Sequence, residues 1–134
     1  MYKILIAEDD RELRDNLKHI LKLEGFRVFA AKDGLDAFRN ILLHKPDVII
    51  SDIKMPYVNG IELFKAVREN SESSLIPFIF LTADNDVDSL RTSISMGVKY
   101  YITKPFDLSF LLSTVKLVIE ERYSIYPLSV QGKK

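Results

Sequence analysis

Five short apolar runs, separated by stretches of helical periodicity, constrain this chain more than any other feature. The runs are Ile4 to Ala7, Val28 to Ala31, Val48 to Ile50, Phe78 to Leu81 and Tyr100 to Ile102. The first, third and fourth are continuous and rich in Ile, Val, Leu and Phe. Strands of that kind suit a sheet covered on both faces, hence a parallel one. Leu13, Leu17, Ile20 and Leu21 then mark one face of a helix, with Gly25 as a left-handed stop. Ala37, Phe38, Ile41 and Leu42 form a second stripe, ending near Pro46. A third helix holds Ile61, Phe64 and Val67 and ends in the polar stretch Asn70 to Ser74. A fourth holds Val87, Leu90 and Ile94, stopped by Gly97. A fifth carries Leu108, Leu111, Leu112, Val115, Val118 and Ile119. The order βαβαβαβαβα predicts a three-layer α/β sandwich with right-handed crossovers.

The expected arrangement is the flavodoxin-like (βα)5 sandwich, with a parallel sheet in the order 2-1-3-4-5. The 134 residues fit one domain. We place it at residues 1–122 and read 123–134 as a C-terminal tail or truncated linker, since Pro127 and Gly132-Lys133-Lys134 fall outside the pattern. A composition 47% hydrophobic and 28% charged excludes wholesale disorder. Basic and acidic residues balance at 19 each, which argues against nucleic-acid contact by bulk positive charge. The absence of cysteine excludes disulfides and thiolate chemistry, and two histidines, His19 and His44, make a His-rich zinc site a poor fit. No apolar run exceeds four residues, so neither a membrane span nor a secretory leader is expected, and a cytoplasmic location is.

Ligands of open α/β sheets bind beyond the carboxyl ends of the strands, where the strand order switches. Here the first strand runs into Glu8-Asp9-Asp10 and the third into Ser51-Asp52. One of the first acids can cap the following helix, but capping leaves the acid at the end of the third strand unexplained. Converging carboxylates repel by about 1 kcal/mol per pair in water, and about 4 at an effective dielectric of 20. A divalent cation relieves this, and oxygen-only ligands suit Mg²⁺. The fourth strand ends in Thr82-Ala83 and the fifth in Thr103-Lys104-Pro105. Acids, a hydroxyl and an ammonium on one sheet edge describe a phosphoryl-transfer site with a carboxylate nucleophile.

At this point the sequence resembles the receiver domain of two-component response regulators, from about Lys3 to Glu121. The resemblance rests on Ile4 to Asp10, on Asp52-Ile-Lys-Met-Pro-Tyr-Val-Asn-Gly60, on Leu81-Thr82-Ala83 and on Tyr101-Ile-Thr-Lys104-Pro105-Phe106. It implies that Asp52 is the phosphoacceptor and that Glu8, Asp9, Asp52 and the backbone carbonyl of Lys54 surround Mg²⁺, Glu8 through water. It implies that Thr82 and Lys104 bind phosphoryl oxygens, that Ala83 leaves room for them, and that Lys104-Pro105 is cis. Thr82 and Tyr101 become the switch that re-shapes the helix 4, strand 5 and helix 5 surface. A sensor histidine kinase or phosphotransfer protein is the implied partner, and a homodimer through helix 4, strand 5 and helix 5 is a further expectation. Neither membrane nor nucleic-acid contact is expected of this domain. It is expected to accept a phosphoryl group and lose it slowly by self-catalysis, not to act as an enzyme. Lys54 and Asp84 stand at positions that tune phosphoryl lifetime in this family.

Three other readings compete. A haloacid-dehalogenase-like phosphatase places a second acid two residues after the nucleophile, where this chain has Lys54. A flavodoxin-like cofactor binder needs a first loop that welcomes phosphate, and Glu8-Asp9-Asp10 repels it. A receiver-like interaction domain that works without phosphorylation has no need of the acid, Thr and Lys set. His19 and His44 are expected on helices, away from the site.

Overall fold

The computed structural model describes the backbone of residues 1–83 and 85–131, and side chains of those segments up to residue 124. Five strands alternate with five helices: β1 (Lys3–Ala7), α1 (Arg11–Leu23), β2 (Arg27–Ala31), α2 (Gly34–His44), β3 (Val48–Asp52), α3 (Gly60–Glu69), β4 (Phe78–Ala83), α4 (Val87–Ser95), β5 (Tyr100–Lys104) and α5 (Leu108–Gln131). All strand pairs are parallel, and the order is β2-β1-β3-β4-β5, as the sequence predicts.

The period-two alternation of the strands divides the core into two layers. Leu5, Ala31, Ile49, Phe78 and Phe80 turn to one face and meet Ala37 and Ile41 of α2 and Leu63, Phe64 and Val67 of α3. Ile4, Ile6, Ile50, Ile79, Leu81 and Ile102 turn to the other and meet Leu17 and Leu21 of α1 and Leu111, Val115, Val118 and Ile119 of α5. Burial of such side chains stabilises by about 1.5–3 kcal/mol each, which is why continuous apolar runs become central strands here.

Local signals set the helix ends. Asp10, Asp33 and Asn59 cap α1, α2 and α3 by accepting from backbone N–H groups, and Asn59 with Glu62 completes a reciprocal capping box. Gly25 (φ 95°) and Gly97 (φ 94°) turn the chain out of α1 and α4 in the left-handed region that glycine tolerates.

Two helices depart from the expected pattern. In α4 the apolar stripe does not enter the core: Val87 and Ile94 are exposed and Ser93 is the buried residue. The side chain of Ser93 turns inward by donating to the Leu90 carbonyl, which satisfies its hydroxyl within the helix. The helical span of α5 passes the expected end at Arg122 and reaches Gln131. Arg122 and Tyr123 are tied to Asp47, by a 2.8 Å guanidinium bond to its carbonyl and a hydroxyl bond to its carboxylate. These contacts hold α5 at the end of its apolar stripe. Residues 132–134 of the expected tail, and Asp84, lie outside the described residues. Among the described residues no helix is long and apolar enough to cross a membrane.

Candidate functional site

Strand register assembles the polar strand ends. Ala7 pairs with Ser51, so Glu8 and Asp52 leave adjacent strands at the same level. Thr82 pairs with Thr103 and Ala83 with Lys104. All the strand-end residues singled out in the sequence therefore share one edge of the sheet.

At that edge Lys104 Nζ donates to Glu8 Oε1 at 2.9 Å and to Asp52 Oδ2 at 3.0 Å. The Glu8 side chain is 1% exposed and that of Asp52 13%. Glu8 Oε2 also accepts from the Asp10 N–H at 3.0 Å. Asp10 itself is occupied as the α1 cap, its Oδ1 accepting from the Leu13 N–H. Capping thus accounts for one acid, and Glu8, Asp9 and Asp52 remain, each offering an oxygen within 4.8 Å of the others'.

The charges do not balance. Burial pushes Glu8 up to about 7, against the opposing pull of Lys104 and the Asp10 N–H. Burial also raises Asp52, again outweighing Lys104. For Lys104, burial works downward, but its bonds to Glu8 and Asp52 prevail and hold it above the usual lysine value. One ammonium therefore faces two desolvated carboxylates, with a third, Asp9, exposed at the rim. An all-oxygen donor set with surplus negative charge fits a hard divalent cation.

A cavity of about 120 Å³ opens beside this cluster, lined by Asp52, Lys54, Ala83, Asp86 and Lys104 among others. The Lys54 side chain points to solvent and approaches Asp86 at 3.9 Å. Thr82 is buried and its hydroxyl donates to the Ala83 carbonyl at 3.0 Å, so it lies at the edge but bonds within its own strand. Tyr101 is partly buried and donates from its hydroxyl to the Val98 carbonyl at 2.6 Å. The Lys104-Pro105 bond is cis. Both histidines are remote from the edge: His19 is exposed on α1, and His44 ends α2 and stacks on Phe29.

Several supporting residues were not foreseen from the sequence. Arg14 donates to the Glu8 carbonyl at 2.8 Å and to that of Asp9 at 3.4 Å, fixing the acidic loop. No local signal separates it from Arg11, whose exposed side chain reaches only Asp15 among the described residues. The Ser51 hydroxyl donates to the Asp52 carbonyl at 2.8 Å. Gly60, recognised as the end of a signature, has a steric reason: a Cβ there would stand 2.3 Å from the Asp52 carbonyl oxygen.

Comparison with known proteins agrees with this geometry. Residues 4–116 match the response regulator receiver domain family. The chain is 39% identical over 118 residues to the probable transcriptional regulator ycf29 of Pyropia yezoensis, covering 88% of this chain and 53% of that protein. It is 33% identical to the transcriptional regulatory protein CrdR of Helicobacter pylori, covering 98% and 66%. The chain thus spans between about half and two thirds of these relatives. Among solved structures, a signal receiver domain of a Syntrophus aciditrophicus signal transduction histidine kinase superposes with a TM-score of 0.84 at 34% identity, covering 90% of this chain and 92% of that one. The chemotaxis response regulator CheY4 of Vibrio cholerae gives 0.81 at 33%, covering 88% and 98%. By its sheet order, its strand-end motifs and this match across nearly the whole domain, the chain belongs to the response regulator receiver domain family.

Proposed function

We propose that this domain is a phosphorylation-dependent signalling module in which Asp52 is the phosphoacceptor. The observation that carries the reading is that Asp52 lines the cavity together with Lys104, which it binds at 3.0 Å, with Glu8 and Asp9 alongside. In the proposed transfer an Asp52 oxygen attacks the phosphorus of a phosphohistidine on a sensor kinase or phosphotransfer protein. A P–O bond forms, the P–N bond breaks, and the imidazole leaves with its electron pair and takes up a proton. Lys104 moves its hydrogen bonds from the carboxylates to the phosphoryl oxygens, where its charge counts most. Glu8, Asp9, Asp52 and the Lys54 carbonyl would hold Mg²⁺, which supplies positive charge opposite the transferred oxygens.

The carboxylate becomes an acyl phosphate, and with Lys54 where a phosphatase places its second acid the domain is a switch that loses the group slowly and not a turnover enzyme. Thr82 gives up the Ala83 carbonyl for a phosphoryl oxygen, and Tyr101 gives up the Val98 carbonyl as it turns inward. Those bonds differ between the two states, which is what lets phosphorylation shift the equilibrium. The output surface is the face of α4, β5 and α5. Val87 and Ile94 of α4 and Phe110 and Leu117 of α5 are exposed there, an apolar composition suited to a second copy of the domain. The module works in the cytoplasm and makes no nucleic-acid contact itself. Intact mass after incubation with acetyl phosphate tests the reading. It predicts one added phosphoryl group with Mg²⁺ and none in Asp52→Asn; no gain, or an equal gain in the variant, overturns it.

A further inference from the structure

A second concave site lies at the opposite, amino edge of the sheet. It is a cavity of about 210 Å³ between the end of α3, the loops entering β4 and β5, and α5. Buried Phe64, Phe78 and Val118 back it from the core, and exposed Leu75 and half-buried Pro77 form its accessible apolar lining. Two guanidiniums, Arg68 and Arg122, face it. Arg68 lies over the rings of Phe64 and Phe78, at 4.5 and 5.6 Å from their centroids. Each arginine spends one N–H on a backbone carbonyl, Arg68 on Ile76 and Arg122 on Asp47. Among the described residues neither makes an ion pair with a carboxylate.

The carboxylate in the wall, Glu121, is engaged by two other lining residues, accepting from the Tyr100 hydroxyl and lying 4.0 Å from Lys99 Nζ. Burial, and the positive charge of Arg122 nearby, hold the Arg68 guanidinium below its ordinary value. Unpaired cations that repel one another are costly in a partly desolvated cleft, and an anion removes the cost. A guanidinium fork matches a carboxylate in plane and spacing, and the accessible Leu75 and Pro77 suit an apolar body attached to it.

We propose that this cavity binds a small carboxylate with an apolar body, its anionic group against Arg68 and Arg122 and its apolar part against Leu75 and Pro77. The site is separate from the Asp52 edge and does not depend on phosphorylation. Its wall includes Val98, whose carbonyl holds the Tyr101 hydroxyl, so a ligand there touches the segment that anchors that side chain.

The test is a titration of ¹⁵N-labelled protein with benzoate, followed by amide and arginine Nε shifts. Benzamide, inorganic phosphate and an Arg122→Gln variant serve as controls. We expect saturable shifts at Gly97 to Tyr100 and at the Arg68 and Arg122 side chains. Benzamide is expected to bind about tenfold more weakly, the loss typical of one charge-assisted hydrogen bond. Arg122→Gln is expected to lower benzoate affinity by a similar factor, with its unchanged amide spectrum elsewhere reporting an intact fold. Absence of saturable shifts in the wild type overturns the proposal. So does equal binding of benzamide, which makes the cleft merely apolar. Phosphate shifting the same resonances as strongly as benzoate also overturns it, since the cleft is then only a basic patch.

Discussion

Replacing Glu8 by Gln should stabilise the cation-free domain at alkaline pH, although it removes a hydrogen-bonded ion pair. Burial raises Glu8 from 4.5 to about 7. Between those values the unfolded chain has released the proton while the folded chain keeps it. The unfolded state then binds fewer protons, so stability falls as pH rises, by about 1.36 kcal/mol per unit. Over the window from 4.5 to about 7 the loss is about 3 kcal/mol. Asp52 is raised as well and adds a loss of the same sign. Lys104 is raised from 10.5, so its contribution stays in place throughout this window. Glu8→Gln keeps an acceptor for Lys104 and for the Asp10 N–H but cannot acquire the charge. Urea denaturation in EDTA at about pH 5 and about pH 8 measures the effect. The wild type should lose about 3 kcal/mol between them, the variant markedly less, with the variant ahead at the higher pH. Added Mg²⁺ should recover wild-type stability more at the higher pH, where it does not compete with a proton. A wild-type stability that is flat or rises over this range, or an equal slope in Glu8→Gln, would refute the assignment of Glu8 as a buried, uncompensated carboxylate.

Other consequences follow from single contacts. Gly60→Ala places a Cβ 2.3 Å from the Asp52 carbonyl oxygen and 2.9 Å from the Ile53 Cα; overpacking of this kind should cost about 1–3 kcal/mol in urea denaturation, and wild-type stability would show that the β3–α3 turn yields freely. Ile50→Ala empties a fully buried position in the central strand and should cost about 2–5 kcal/mol by the same assay; a loss below 1 would mean that this layer of the core is loosely packed. Lys104→Met removes the cation shared by Glu8 and Asp52. Its acetyl phosphate modification, followed by intact mass, should slow by about tenfold or more, whereas an unchanged rate would remove Lys104 from the site. Val87→Asp with Ile94→Asp should leave the domain monomeric by light scattering in the presence of a phosphoryl mimic, and a dimer that persists would place the interface elsewhere.

The strands were legible because their apolar runs obey a rule without exceptions here: every central strand must be covered on both faces. The site was legible for a related reason. Parallel strands deliver their carboxyl ends to one edge, so the acids at the ends of β1 and β3 and the lysine at the end of β5 had to meet. Side-chain destinations were not legible. Thr82 was placed correctly, but its bond to its neighbour's carbonyl depends on a rotamer that no spacing encodes. The stripe of α4 has core periodicity, yet it faces outward, since periodicity finds a face and not its partner. The contacts of Arg122 and Tyr123 with Asp47 were not legible either, because Asp47 lies far away in the chain and shows no local signal.

The central claim, that the carboxylate at the end of β3 takes the phosphoryl group, is tested most directly by locating the modification. An acyl phosphate is reduced by borohydride to an alcohol, so treatment of the phosphorylated protein converts the acceptor aspartate to homoserine. Tandem mass spectrometry of the digested protein should find homoserine at position 52 and aspartate retained at 9 and 10. Homoserine at another position, or none in protein whose intact mass has risen by one phosphoryl group, would contradict the account.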